Sequence, residues 1–156
     1  MEIPFLAWLL QSVPETIGTV SIVICLGYGY LYWKPIIIIG LIQAVLVYLI
    51  RLLPITFGVH TVILIITLAV LSSWIGRINI NKAIVYSNIS ILILILSEFI
   101  IVNMWIYFAN FSLNEITNVV AVRVITGMPQ VIILFLTAVF ISKRNLMKNM
   151  VKTRKI

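Results

Sequence analysis

The feature that most constrains this chain is a series of long, nearly continuous apolar runs, of which residues 89–101 and 131–141 are typical. These runs do not alternate apolar and polar residues, as the strands of a membrane β-barrel would. The chain is 63% hydrophobic and only 10% charged, whereas soluble domains carry roughly 25% charged residues. Lipid must therefore be its main solvent, and we predict an all-α, polytopic membrane helix bundle.

Five apolar segments have about the 20 residues that a helix needs to cross the hydrocarbon layer. The predicted transmembrane helices cover residues 14–32, 35–53, 59–75, 83–109 and 115–142. Ser12, Pro14 and Glu15 have the residue types of a helix start, namely a cap, a first-turn proline and an acid near the positive end of the helix dipole. We predict three regions, which are a short interfacial helix (1–12), the five-helix membrane domain (13–142) and a mobile basic tail (143–156).

The basic residues predict the orientation of these segments. Arg51 alone is assigned to one side of the membrane, and nine Lys and Arg to the other: Lys34, Arg77, Lys82, Lys143, Arg144, Lys148, Lys152, Arg154 and Lys155. The positive-inside rule places the side with nine in the cytoplasm. With five crossings of the cell membrane the N-terminus lies outside, although four crossings with a half-inserted first segment stay open. The charge pattern favours the lipid bilayer as partner and argues against nucleic acid.

Four charged residues fall within or at the end of the apolar segments: Glu15, Arg51, Glu98 and Arg123. A charged side chain that faces lipid is costly, so a retained one usually faces a partner or a cavity. At 1.5 Å per residue, all four lie about 24 to 30 Å from the cytoplasmic edge, in the outer half of the bilayer. We predict a Glu98–Arg123 ion pair, with Arg51 joining Glu15 or the same network. The network either binds a ligand or only holds the bundle together.

The outer turn between the second and third segments, predicted at residues 51–61, contains His60. This histidine is interpreted either as a hydrogen-bonding turn residue or as part of a ligand-binding or proton-sensing site. Gln43 and Asn103 are polar residues in apolar runs and are expected to bond across helices. Gly127 and Pro129 interrupt the fifth segment and predict either a packing kink or a hinge.

Three stretches carry a resemblance to a known module: QSVPE at 11–15, YLIRLLPITFGVHT at 48–61 and RVITGMPQ at 123–130. They resemble the five-helix sensor region of Gram-positive GHKL-type histidine kinases and of related stand-alone membrane proteins. The resemblance covers the chain up to about residue 144 and implies a sensing or anchoring role, with a cytoplasmic kinase or a membrane protein as candidate partner. The sequence has no phosphoacceptor-histidine helix and no ATP-binding motif, so kinase activity is not expected.

No HExxH or GxSxG motif and no Cys/His pair is present in the sequence, so we predict neither an enzyme nor a cofactor or metal site. The leading hypothesis is a membrane sensor or signalling partner with an outward-facing polar cavity built from Glu15, Arg51, His60, Glu98 and Arg123. A small transporter component or accessory subunit is the alternative, in which homo-oligomers would supply the missing helices. A purely structural membrane subunit is the third.

Overall fold

The computed structural model describes residues 8–52, 57–109 and 120–153. These residues are almost entirely helical, which confirms the all-α prediction. They form five α-helices, which we number in chain order: α1 (Val13–Tyr28), α2 (Trp33–Leu52), α3 (Phe57–Trp74), α4 (Ile80–Ala109) and α5 (Val120–Thr153).

Within these described ranges, four helical stretches are long and apolar enough to cross a membrane: Leu9–Tyr28, Trp33–Ile50, Ile80–Phe108 and Val124–Asn145. Gly58–Trp74 in α3 is a shorter apolar helix. The outward faces of these helices are covered with large apolar side chains, among them Leu92, Phe99 and Leu136, which lipid can solvate. The chain is thus a multi-pass membrane protein, and its bundle is compatible with five crossings.

Helix α1 is the central helix of the bundle. It packs against α2, α4 and α5 and also contacts α3. Its fully buried Val20 and Ile24 belong to one apolar core with Ile39 of α2 and Leu68 of α3. A second core on another side of α1 joins Cys25 to α5. The polar residues of α1 are consequently held inside the protein rather than in lipid.

Helices α1 and α5 lie parallel, because the residue numbers of their contacts rise together. Gln11, just before α1, lies against Gly127 of α5, and a Cβ atom at Gly18 would come within 2.9 Å of the Leu134 Cβ. Near the other end, Asn145 Nδ2 donates a hydrogen bond to the Cys25 carbonyl (3.4 Å). Parallel first and last helices are what five crossings require.

The predicted start of the first α-helix is confirmed at Val13, with Pro14 and Glu15 in its first turn, but the predicted cap at Ser12 is wrong. Ser12 has helical backbone angles (φ −69°, ψ −32°) and makes no side-chain capping hydrogen bond. A π-helical turn, Trp8–Ser12, leads without a break into α1. Pro14 explains the wider turn, because its missing N–H removes an α-helical hydrogen bond. The interfacial placement of residues 1–12 stays a prediction, since residues 1–7 lie outside the described ranges.

The basic tail also differs from the expectation. Residues 143–153 continue α5, which has 34 residues in all and is therefore about 51 Å long. That length exceeds the ~30 Å hydrocarbon core, so the helix must extend beyond it. The tail is thus helical as far as Thr153, and its expected mobility stays a prediction. We refer to residues 143–153 as the basic extension.

The basic residues whose side chains the structure describes lie at one end of the bundle, in the loop after α3 or near the helix ends there. The Tyr28 hydroxyl donates to the Gly76 carbonyl (2.7 Å), which joins the end of α1 to the loop after α3. A Cβ atom at Gly29 would contact Asn145 of the basic extension. Five exposed basic residues are close in sequence to these contacts: Lys34, Arg77, Lys82, Lys143 and Arg144. We call this the basic end; the N-terminus of α1 lies at the opposite end.

Candidate functional site

One face of α1 carries a stripe of polar residues. Ser12, Glu15, Thr16 and Thr19 have the spacing i, i+3, i+4 and i+7, which places them on the same side of the helix. The threonine hydroxyls donate their hydrogens back to the backbone, from Thr16 to the Val13 carbonyl (2.9 Å) and from Thr19 to the Thr16 carbonyl (2.8 Å). These bonds satisfy the donors of a polar stripe inside an apolar bundle.

Helix α2 approaches this stripe closely at Gly40. The Thr16 Oγ1 atom lies 3.2 Å from the Gly40 carbonyl oxygen, so the Thr16 hydroxyl also bonds to α2. A Cβ atom at Gly40 would lie 2.8 Å from Ile17 Cγ1 and 3.2 Å from Ile17 Cα. Small residues at such crossings let membrane helices pack closely. The missing side chain at Gly40 therefore sets the distance between α1 and α2.

Gln43 of α2 connects the stripe to α3. Its Nε2 donates to the Leu64 carbonyl (3.3 Å) and to Thr67 Oγ1 (3.0 Å), which confirms the predicted bond across helices. The Leu64 carbonyl can only accept a hydrogen bond. The NH₂ group of Gln43, and not its amide oxygen, must therefore face α3. The side chain is only 3% exposed, and its Oε1 has no hydrogen-bond partner among the described residues. A buried polar atom left in this state costs about 1–3 kcal/mol.

Ser12, Glu15, Thr16, Thr19 and Gln43 together form the polar wall of a cavity of about 50 Å³. Apolar side chains form the opposite wall, including Leu64 and Leu68 of α3 and Ile91 and Leu94 of α4. One water molecule needs about 10–15 Å³ when volume is measured in this way, so the cavity has room for roughly three or four. We call it the α1 cavity.

The polar wall offers mainly acceptors. The hydroxyl hydrogens of Thr16 and Thr19 are directed to carbonyl oxygens, and the amide hydrogens of Gln43 are directed to α3. The lone pairs of these hydroxyls remain, and Glu15, which also makes a further contact of its own, adds a carboxylate to the lining. A cation or a strong hydrogen-bond donor suits such a lining; an anion does not.

Of the charged residues and the histidine that the sequence grouped together, the structure describes the side chains of Glu15, His60 and Glu98, and the network as a whole stays a prediction. Glu15 lines the α1 cavity, whereas Glu98 is on the exposed face of α4. His60 is half-buried in the first turn of α3, not in a loop, and lies one helical turn before the cavity residue Leu64. The side chains of Arg51 and Arg123, like residues 53–56, lie outside what the structure describes. The Glu98–Arg123 ion pair consequently stays a prediction.

The structure also describes Gly127 and Pro129 of α5 and Asn103 of α4. Helix α5 continues through Gly127 and Pro129, and a side chain at Gly127 would collide with Gln11. This close approach gives Gly127 a packing role, while the hinge at these two residues stays a prediction. Asn103 is exposed and donates to the Phe99 carbonyl in its own helix (2.7 Å), so the expected bond across helices is not formed by this amide group.

Sequence reasoning missed Ser12, Thr16 and Thr19 as site residues. The predicted site was built from charged residues and His60, and Ser12 was given only the role of a helix cap. The spacing i, i+3, i+4, i+7 of small polar residues in an apolar segment is the signal that could have found them.

Within the described ranges, no three His, Cys, Asp or Glu side chains are close enough to hold a metal ion together. The geometry defines the class of protein: an all-α, multi-pass membrane bundle with a small polar cavity between its helices. Comparisons with protein-family models, curated proteins and solved structures find no match for the chain.

Proposed function

We propose that this membrane protein is a sensor or signalling partner without catalytic activity, in which the α1 cavity faces outward and the basic extension faces the cytoplasm. One observation carries the proposal. Helix α1 lines the cavity with Glu15 and Thr19, and near its other end its Cys25 carbonyl accepts a hydrogen bond from Asn145 of the basic extension. A single central helix thus contacts both the site and the segment that would pass the signal on.

The proposed mechanism is a shift of α1 relative to α5. A ligand can favour one arrangement only by binding it more tightly than the other. A shift of α1 would reach α5 through the parallel contacts at Gly18–Leu134 and Cys25–Asn145. The basic extension would then present a different surface to its cytoplasmic partner, for which the resemblance favours a kinase. The positive-inside rule supports this orientation in the cell membrane.

A transporter component is the second candidate, because the α1 cavity is a polar site inside a membrane bundle. Purified protein in sealed proteoliposomes distinguishes the two candidates. Uptake of a solute or ion by the protein alone would favour transport. A sensor should bind its ligand in the vesicle membrane without accumulating it inside.

We predict that changing the cavity charge alters the position of the basic extension. Spin labels on Asn81→Cys and Met147→Cys, both exposed, would report the distance between the start of α4 and the basic extension. The background carries Cys25→Ala, which removes the only native cysteine. Glu15→Gln should shift or broaden this distance distribution, measured by pulsed electron paramagnetic resonance in nanodiscs. Glu98→Gln is the matched control and should leave it unchanged.

Identical distributions in all three proteins would contradict the sensor proposal, because the α1 cavity would then have no influence on the basic extension. A change of equal size with Glu98→Gln would also contradict it, since the effect would come from the loss of any membrane carboxylate. The label pair needs no knowledge of the ligand, so the test can be made before a ligand is identified.

A further inference from the structure

We infer that the basic end is a binding surface for the anionic headgroups of phospholipids, and that Arg77 is one of the residues that hold the headgroup phosphate. The inference does not rest on the proposed sensor function, because it concerns the lipid around the protein and not a signal. The juxtaposition that carries it is a loop with an exposed arginine, anchored to α1 and placed beside exposed tryptophan.

The first argument is the missing counter-charge. The whole sequence has four acidic residues: Glu2, Glu15, Glu98 and Glu115. None of them lies between residues 16 and 97, a stretch that contains Lys34, Arg77 and Lys82. Glu15 is at the opposite end of α1, and Glu98 is about 27 Å along α4 from its start. Within the described ranges the basic end has no carboxylate to balance its charges, so it is complementary to an external anion.

The second argument is the depth of these charges in the membrane. Trp33, 52% exposed, directly precedes Lys34, and Trp74, 80% exposed, ends α3 three residues before Arg77. The three tyrosines within residues 28–32 are in mutual ring contact at the end of α1. Trp and Tyr are enriched at the level of the lipid headgroups. The neighbouring basic side chains are therefore expected in the layer where phosphate is the abundant anion, which favours lipid over a nucleic acid.

The third argument is the backbone of Arg77. Its φ is 49°, and among the described residues no other non-glycine residue has a positive φ. This left-handed conformation is unfavourable for a residue with a Cβ atom, and glycine adopts it freely. The turn is fixed, because Ile78 is buried and its N–H donates to the Ser72 carbonyl (3.3 Å). An arginine where glycine would fold more easily points to a use of the guanidinium group, which pairs well with phosphate.

The fourth argument is that α1 holds two basic segments at the same end. The hydroxyl of Tyr28 fixes the Gly76 carbonyl, next to Arg77 (2.7 Å). A Cβ atom at Gly27 would meet the side chain of Ile78, and one at Gly29 would contact Asn145. Residues 27–29 thus lie between the direct neighbours in sequence of Arg77 and of Arg144. One headgroup layer can therefore meet the loop after α3 and the start of the basic extension together.

The test uses the tryptophan beside Arg77 as a fluorescent reporter. Trp8→Phe, Trp33→Phe and Trp105→Phe leave Trp74 as the only tryptophan of the full chain. Two nanodisc samples contain the same mixture of phosphatidylglycerol and phosphatidylcholine, and they differ only in which lipid carries the quenching bromine atoms. Brominated phosphatidylglycerol should quench Trp74 more strongly. Arg77→Gln should lower the relative affinity for phosphatidylglycerol about 5-fold, the usual contribution of one cationic side chain near a membrane surface.

Two controls separate headgroup binding from a general effect on the protein. A chain that keeps Trp105 in place of Trp74 reports on the other end of α4 and should show no preference for phosphatidylglycerol. Arg77→Gly removes the charge and also relieves the left-handed backbone. Its preference should therefore fall as in Arg77→Gln, while its thermal unfolding midpoint stays the same or rises.

Equal quenching of Trp74 by the two brominated lipids, with Arg77 intact, would overturn the inference, whether or not any Arg77 variant folds. The charges of the basic end would then be left for an acidic cytoplasmic protein. An undiminished preference in Arg77→Gln, or an equal preference at Trp105, would also overturn it. Because nanodiscs expose both leaflets to the same lipid mixture, the result does not depend on which way the chain is oriented in the cell.

Discussion

Ser90→Leu is expected to destabilise the bundle by about 3 kcal/mol, a large fraction of the stability of a small protein. Ser90 is fully buried where α4 packs on α1, and its hydroxyl donates to the Thr19 carbonyl (2.7 Å). Leucine would remove this bond and force a large side chain between two helices in contact. The measurement is the midpoint of thermal unfolding of the purified protein in mild detergent.

Asn88→Leu is the matched control for this substitution. Asn88 is two residues away on α4 but is exposed, and its amide donates only to the Ile84 carbonyl of the same helix. Leucine there would face lipid or detergent, so the unfolding midpoint should stay the same or rise slightly. Equal destabilisation by both substitutions would show that α4 does not pack on α1 through Ser90.

Gly40→Ala is expected to destabilise the protein by about 2 kcal/mol through overpacking. The added Cβ would lie 3.2 Å from the Ile17 Cα, which belongs to the backbone and cannot rotate away. Helices α1 and α2 would have to separate, which would lengthen the Thr16–Gly40 hydrogen bond and open the α1 cavity. The readout is the thermal unfolding midpoint, which should fall.

Gly58→Ala provides the comparison for Gly40→Ala. Nothing lies within 4 Å of the position that a Cβ atom would take at Gly58. Alanine is favoured over glycine in a helix by about 1 kcal/mol, so the unfolding midpoint should be unchanged or higher. If Gly40→Ala were as harmless as Gly58→Ala, the close crossing of α1 and α2 would be refuted.

The helices were predictable from the sequence because lipid leaves few alternatives. Long apolar runs can only be helical spans, and the segment boundaries were set by charged residues and Pro or Gly. The π-helical turn before α1 was not predicted, because Ser12 and Pro14 have the residue types of an ordinary helix start and nothing in them indicates that helical backbone precedes it. The basic extension was missed because charge alone does not show that Asn145 is anchored to α1.

The site was predictable only in part. Glu15 stands out in any sequence reading, since a charged residue in an apolar segment needs a partner or a cavity. Thr16 and Thr19 do not stand out, because a threonine inside a membrane helix can satisfy itself on its own backbone. Their role depends on α2 bringing Gln43 opposite them. The periodicity of a single segment does not show which helices pack against each other.

The central claim is that the α1 cavity faces the outside of the cell and the basic extension faces the cytoplasm. Its most direct test is labelling of single cysteines by a membrane-impermeant maleimide, in a Cys25→Ala background. We expect Gly58→Cys, at the end of the bundle opposite the basic end, to react on intact cells. Met147→Cys, on the basic extension, should react only after the membrane is permeabilised. Labelling of both positions from the same side, or of Met147→Cys on intact cells, would contradict the account.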